Sequence, residues 1–195
     1  MSTEKLNRER NSPAGFTILE TVIALAIGAI IMMIIGSALV SHYRLYDLTT
    51  TDSNLKSENL TMMERISRVA GDGQSVEASR QFGTITLSSN TSTAIFKLPA
   101  IDSAKNIIAG SYDYIAFYKS PTTTNLFEYI DGADGSWRKD SGKILSKFVS
   151  SVIFGYNNSI VSASSNITIF LENQRTVRGA RKTYNNSTTI YLKNK

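Results

Sequence analysis

The sequence predicts an α+β protein in which one long N-terminal helix precedes a domain of antiparallel strands. No residue is charged between Thr21 and Ser41, and apolar residues then recur every seven positions from Leu48 to Val69. Beyond Gly73 the apolar period changes to two. The first two patterns are typical of a helix and the third of strands, so the chain changes from helix to sheet near this glycine.

The composition restricts the function classes that are open to the chain. Its 195 residues include 21 Lys and Arg, 16 Asp and Glu, one His and no Cys. Without cysteine there is no disulfide or thiolate metal site, and His42 alone cannot build a histidine cluster. The basic residues are not clustered as in a nucleic-acid-binding domain, and no nucleophile–base pair can be assembled. We therefore expect a non-enzymatic chain that needs no cofactor.

The uncharged segment has the length of a membrane span. Its 21 residues would extend roughly 30 Å as a helix, about the thickness of a hydrocarbon core. The small residues Gly36, Ser37 and Ala38 also fit a signal-peptidase site, but the run exceeds the roughly 7–15 apolar residues of a signal peptide. Lys5, Arg8 and Arg10 precede it, which favours a cytoplasmic N-terminus. We predict a single-pass membrane helix.

The stretch "GFTILE" (Gly15 to Glu20) resembles the processing site of type IV prepilins and of type II secretion pseudopilins. The resemblance rests on the short basic leader, Gly15, Phe16, Glu20 and the uncharged helix that follows. It implies that a prepilin peptidase cuts between Gly15 and Phe16 and methylates the new amino group of Phe16. Removal of the leader would leave 18 basic and 14 acidic residues.

The resemblance also implies a role for Glu20. Its counterpart in this family is thought to pair with the α-amino group of a neighbouring subunit, here that of Phe16. A lone carboxylate among apolar residues is costly, whereas an ammonium partner in a dry bundle attracts it strongly. In the alternative reading, Glu20 only reaches the lipid headgroups.

The function implied by the resemblance is that of a structural subunit, a minor pilin or pseudopilin. It would reside in the bacterial inner membrane, in contact with the lipid bilayer, with its C-terminal domain in the periplasm. An inner-membrane assembly platform would then build it with other pilins into a type IV pilus or a type II secretion pseudopilus. The alternatives are a competence or adhesion pilin that contacts DNA or a surface, and a static single-span anchored binding domain.

The resemblance implies the type IV pilin fold and a division of the chain into four parts. Residues 1–15 are the cleaved leader, 16–41 the transmembrane and assembly half of the helix, 42–70 its amphipathic half, and 71–195 a β-rich periplasmic or extracellular domain. We expect the stripe from Leu48 to Val69 to pack on the chain's own sheet, with a coiled-coil partner as the alternative.

Seven runs beyond Gly73 have the two-residue period of strands. They are "FGTITLSS", "STAIFKLPA", "YDYIAFYKS", "NLFEYID", "ILSKFVSSVIFGYN", "SNITIFLEN" and "STTIYLKN". The last two read as a terminal hairpin with a long basic connection. Their spacing resembles that of the larger minor pilins and of the J- or W-type pseudopilins.

Two polar clusters are candidate ligand sites. Asp131 and Asp134, with Asp140, could offer oxygen ligands to Ca²⁺, but Asp-Gly pairs also form hairpin turns, and the closing acidic residue of an EF-hand is missing. We expect a turn, with a metal as the alternative. A second cluster is basic and could contact DNA phosphates, although a solvated hairpin tip is the expected outcome. Its members are Arg175, Arg178, Arg181 and Lys182.

Trp137 is the only tryptophan in the chain. Tryptophan is large and predominantly apolar, and its burial usually contributes to a core. We therefore expect this side chain to anchor the core of the β-domain rather than to stack on a ligand.

Overall fold

The computed structural model describes residues 17–193. Helix α1 spans Ile18–Asp72. The chain forms two compact units, and the boundary between them follows Tyr46. In the first unit the described residues form the first part of α1. The second unit holds the rest of the helix and all the strands that the structure describes.

Ten strands follow the helix in the described part of the chain. They are β1 Ser75–Val76, β2 Ser79–Phe82, β3 Ile85–Ser88, β4 Thr93–Ile101, β5 Ile107–Lys119, β6 Leu126–Asp131, β7 Ser141–Ser146, β8 Val149–Tyr156, β9 Asn166–Val177 and β10 Ala180–Tyr191, with a 3₁₀ turn at Val161–Ala163.

The strands form three antiparallel sheets. One has the order β1-β4-β5-β6-β7, the second the order β10-β9-β8, and the third is the β2-β3 hairpin. Sequential strands are neighbours in most of these pairs, as expected when short connections join antiparallel strands. The predicted α+β class, with a long helix on antiparallel sheets, is confirmed.

The apolar stripe of α1 packs against these sheets. Met62, Ile66 and Val69 are at most 3% exposed and belong to one core cluster. Their spacing of three or four residues puts them on one face of the helix. The strands contribute Phe96 and Phe117 to the same cluster, with ring centroids 6.1 Å apart. The stripe thus packs on the chain's own sheets, as predicted.

Strand β5 separates two apolar layers by its alternation. Ile115 and Phe117 lie in the cluster that packs on α1. Tyr114, Ala116 and Tyr118 point to the other face, where a second cluster includes residues of the β2-β3 hairpin. The division arises because successive side chains of a strand point to opposite faces.

The structure corrects three details of the strand predictions. The run "FGTITLSS" contains only the end of β2 and the whole of β3, so the hairpin's first strand was missed. The run "ILSKFVSSVIFGYN" is divided between β7 and β8, which lie in different sheets. The terminal hairpin has no long basic connection, because β9 and β10 continue to a two-residue turn at Arg178 and Gly179. Both turn residues have positive φ, the geometry of a tight hairpin turn.

Candidate processing and assembly site

The N-terminus of α1 is capped by hydrogen bonds between Thr17 and Glu20. The amide of Thr17 donates to Oε2 of Glu20 (3.1 Å), and the amide of Glu20 donates to Oγ1 of Thr17 (3.2 Å). This reciprocal pair is a capping box, with Thr17 as the N-cap and Glu20 three residues later. The T-x-x-E spacing in "TILE" was the sequence signal for it, and the sequence reading missed it.

The capping box gives the carboxylate a local partner at a helix N-terminus. Unpaired amides at this end of a helix carry partial positive charge, which favours an anionic side chain in the first turn. Glu20 is exposed, so the carboxylate is open to a further partner. Gly15 and Phe16, the predicted cleavage pair, lie outside the described residues.

The segment that follows is apolar and exposed. Among the described residues, α1 is the helix that is long and apolar enough to cross a membrane, and none of its most apolar window is buried. Large side chains such as Leu25, Met32 and Val40 are more than half exposed. Apolar residues that are not covered by protein are stable in a lipid or helix-bundle environment. This part of α1 fits a membrane anchor.

The predicted calcium loop follows β6 and has other contacts. Asp131 accepts a hydrogen bond from Nε of Arg80 at 2.7 Å, and Asp140 accepts one from the amide of Gly132 at 2.8 Å. Asp134 is exposed in the same loop. Within residues 17–193, no group of three or more His, Asp or Glu side chains is arranged to hold a metal ion.

The basic residues of the terminal hairpin are divided between its two faces and its turn. Arg175 and Lys182 are cross-strand partners on one face, whereas Arg181 pairs with Thr176 on the other. Arg178, in the turn, forms a salt bridge of 2.6 Å with Asp47 of α1. The guanidinium of Arg175 lies over the ring of Phe148. The hairpin therefore separates side chains that are close together in the sequence.

Two buried carboxylates organise the domain, and the sequence reading missed both. Asp113 of β5 accepts hydrogen bonds from the amide of Ala133 (2.9 Å), from the hydroxyl of Ser136 (2.9 Å) and from Arg138 (2.7 Å). These bonds fix the loop between β6 and β7. A polar residue on the apolar face of β5, beside Ile115, was the available signal, because such a residue must find partners when buried.

Glu128 of β6 is the second fully buried carboxylate. It contacts Arg65 of α1 at 2.6 Å and Lys143 of β7 at 2.8 Å. Two cations around one buried carboxylate compensate its desolvation, and loss of both would leave the charge unpaired in the interior. The group joins the helix to the first sheet.

The expectation that Trp137 anchors the core is wrong. Its side chain is 60% exposed, while its backbone amide donates to the carbonyl oxygen of Ile101 at 2.8 Å. Ser136, its neighbour, is buried in the Asp113 network and occupies the inward position of this loop. The alternation of the loop therefore directs the small polar residue inward and the tryptophan outward.

Comparison with known proteins identifies one sequence motif at the N-terminal end of the chain. Residues 10–36 match the family model of the prokaryotic N-terminal methylation motif. No curated protein and no solved structure matches the chain. The matched range includes Gly15, Phe16 and Glu20 and extends along the exposed apolar part of α1. The chain thus carries the N-terminal motif of type IV pilin-like proteins, which indicates a processed structural subunit rather than an enzyme.

Proposed function

We propose that the chain is a minor pilin or pseudopilin, a structural subunit of a type IV pilus or a type II secretion pseudopilus. In this proposal the inner membrane holds it by α1, with the β-domain in the periplasm, until an assembly platform adds it to a filament with other pilins. Within this proposal the J- or W-type is the closer class, on the sequence resemblance of the last two strand-like runs alone. The observation that carries the proposal is the methylation-motif match over residues 10–36.

Processing is the first step that the proposal requires. A prepilin peptidase would cut between Gly15 and Phe16, which creates an α-amino group, and would then methylate it. Before the cut this ammonium does not exist, so Glu20 has no such partner on a neighbouring subunit. The capping box with Thr17 satisfies the carboxylate locally, and the lipid-facing start of the helix lacks other charges nearby.

Mass spectrometry of the chain co-expressed with a prepilin peptidase tests this step. We expect a chain that begins at Phe16 and carries one added methyl group, and an intact chain when the peptidase is inactive. A chain that still begins at Met1 beside a peptidase that processes another substrate would contradict the proposal.

The substitution Glu20→Gln tests assembly separately from helix capping. Glutamine also completes a capping box, so this variant keeps the helix start while it removes the charge. We expect processing to continue but incorporation into filaments to fall by about tenfold or more, the effect of losing roughly 1.4 kcal/mol or more of charge pairing. Immunoblotting of sheared filaments measures it.

Asp52→Asn is the matched control, because it removes one exposed negative charge from the same helix. It should leave incorporation unchanged. If Glu20→Gln assembled as well as this control, the carboxylate would have no role in the filament, and a static membrane-anchored domain would be the better explanation.

A further inference from the structure

We propose that a cleft between the end of α1 and the first sheet binds an acidic peptide segment with an apolar side chain, supplied by a partner protein. The cleft has a volume of about 360 Å³ and lies wholly in the second unit. This volume is within the range of specific ligand sites, roughly 300–1,000 Å³. The inference goes beyond the proposed function, since it concerns the β-domain and not the assembly helix.

The lining of the cleft combines an apolar floor with a basic rim. Val69 of α1, Leu98 of β4 and Ile115 of β5 are buried residues that line it. The rim carries cationic side chains from α1 and from the β6-β7 loop. An apolar surface with a few positioned polar groups is typical of a binding site rather than of an ordinary solvated face.

Two guanidinium groups of the rim are held in fixed positions. Arg65 donates from Nε to Glu128 at 2.7 Å, and Arg138 donates from Nη1 to Asp113 at 2.7 Å and to a backbone carbonyl. Both carboxylates are fully buried, so each arginine is held by a partner in the protein interior. A side chain that is already ordered loses little conformational entropy when a ligand binds.

Two further cations of the rim are available to a ligand. Arg68 forms a mainly exposed pair with Glu64 one turn away, and such pairs contribute little. Lys139 is exposed and has no salt-bridge partner among the residues that the structure describes. An incoming carboxylate could therefore pair with these groups without breaking a buried network.

The net charge around the cleft favours a short acidic segment over a polyanion. The charged groups that line the cleft, together with their salt-bridge partners, are Arg65, Arg68, Arg138, Lys139, Lys143 and Lys193 with Glu64, Asp72, Asp113 and Glu128. Six cations and four carboxylates leave a charge of +2, which matches one or two carboxylates of a ligand. Nucleic acid gains its affinity from many phosphate contacts, and this surface offers few.

The exposed indole of Trp137 completes the site. It lines the cleft beside the arginines, on a loop that the Asp113 network fixes. Tryptophan and arginine are among the residues most enriched in side chains that dominate protein–protein binding energy. An apolar side chain of the ligand can pack on the indole and the floor while its carboxylates contact the rim.

The tryptophan also reports binding, because the chain has no other. The probe is the capped hexapeptide Gly-Phe-Asp-Glu-Leu-Gly, and its neutral analogue has Asn and Gln in place of the acids. Both are titrated against the full chain in a neutral detergent, with tryptophan fluorescence as the readout. We expect a saturable change with the acidic peptide below about 1 mM and at least about tenfold weaker binding of the analogue.

The double variant Arg68→Gln with Lys139→Gln tests the rim without touching the buried pairs. We expect it to weaken binding of the acidic peptide by about tenfold or more. The matched control is Arg181→Gln with Lys182→Gln, which removes the same charge from the β9-β10 hairpin. This hairpin meets α1 at Asp47, about 30 Å along the helix from Arg68. The control should bind as the unsubstituted chain does.

Three results of the direct titrations would overturn the inference. They are equal binding of the acidic and neutral peptides, equal affinities of the two double variants, and no saturable response up to about 1 mM peptide. Displacement of the peptide by inorganic phosphate at equal concentration would likewise overturn it, because the cleft would then be a general anion site. All measurements use unassembled chain, so failure of filament assembly does not affect them.

Discussion

At the scale of single residues, buried polar groups determine which contacts the domain requires. Asn59 of α1 donates from Nδ2 to the carbonyl oxygen of Leu171 (3.2 Å) and to Oδ1 of Asn173 (2.9 Å). Both asparagines are fully buried. An amide that loses its partner in the interior costs roughly 1–3 kcal/mol. The pair therefore favours one register of the helix on the second sheet.

Tyr156 is a half-buried residue whose effect depends on pH. Its hydroxyl donates to the carbonyl oxygens of Thr93 (2.9 Å) and Asn90 (3.2 Å), and burial raises the pKa of the phenol. The unfolded phenol ionises near pH 10. Because the folded-state pKa is the higher one, the stabilisation is fully present below about pH 10 and is lost as pH rises above it.

Tyr156→Phe is therefore expected to lower the free energy of unfolding by about 1 kcal/mol at pH 8, where the hydroxyl bonds are lost. Above about pH 10 the difference between the variant and the unsubstituted chain should shrink, since phenylalanine cannot ionise. Urea unfolding in neutral detergent at both pH values measures it. Tyr191→Phe, at an exposed position, is the control. A difference that grows with pH would contradict the assignment.

At the scale of elements, α1 combines two kinds of surface in one helix. Its first part is apolar and exposed, whereas buried residues begin at Thr51. Helix propensity does not distinguish the two parts, because both belong to one regular α-helix. The difference lies in the side chains, which suit lipid or other helices in the first part and a sheet in the second.

The β9-β10 hairpin depends on its turn. Gly179 has φ of +80°, and a Cβ atom there would meet no other atom within 4 Å, so only backbone conformation opposes a side chain. Gly179→Ala should lower the free energy of unfolding by about 1–2 kcal/mol, the cost of left-handed backbone for an L-residue. Urea unfolding in neutral detergent measures this change.

Gly71→Ala is the matched control for the turn. This glycine is in the last turn of α1, has the same free space around it and lacks a positive φ. Alanine favours helix over glycine by up to about 1 kcal/mol, so the control should be neutral or stabilising. Equal destabilisation by both substitutions would show that the turn geometry does not matter.

At the scale of the whole molecule, the second part of α1 completes the core of the β-domain. Ile66 is 0% exposed and lies among residues from α1 and from both larger sheets. Without α1 the inner faces of these sheets would expose their apolar side chains to water. The second part of the helix thus serves as a structural part of the domain, whereas its first part is apolar and exposed.

Ile66→Ala tests this dependence. We expect the free energy of unfolding to fall by about 2–5 kcal/mol, because the substitution leaves a cavity in a packed interior. Leu60→Ala, on the 44% exposed side of the same helix, should cost less than about 1 kcal/mol. Thermal unfolding in neutral detergent, followed by circular dichroism, compares them. Similar losses at both positions would mean that this face of α1 is not the buried one.

The sequence by itself determined the class of the fold and the N-terminal motif. A long uncharged run, a helical stripe and alternating strands are local patterns, and each follows from which residues must avoid water. The motif from Gly15 to Glu20 is likewise contiguous, so no folding was needed to recognise it. The capping box is equally local, because its T-x-x-E spacing lies within "TILE". It could therefore have been predicted from the sequence.

Only the tertiary structure decided which distant residues meet. Asp113 holds Arg138, and Glu128 holds Arg65, across separations of 25 and 63 positions. The outward position of Trp137 depends on the same network, and the division of β7 from β8 depends on which sheet each strand completes. No local pattern encodes these contacts, because burial and pairing are set by the packing of the whole domain. The sequence therefore identified the N-terminal methylation motif, and the folded domain alone revealed the cleft.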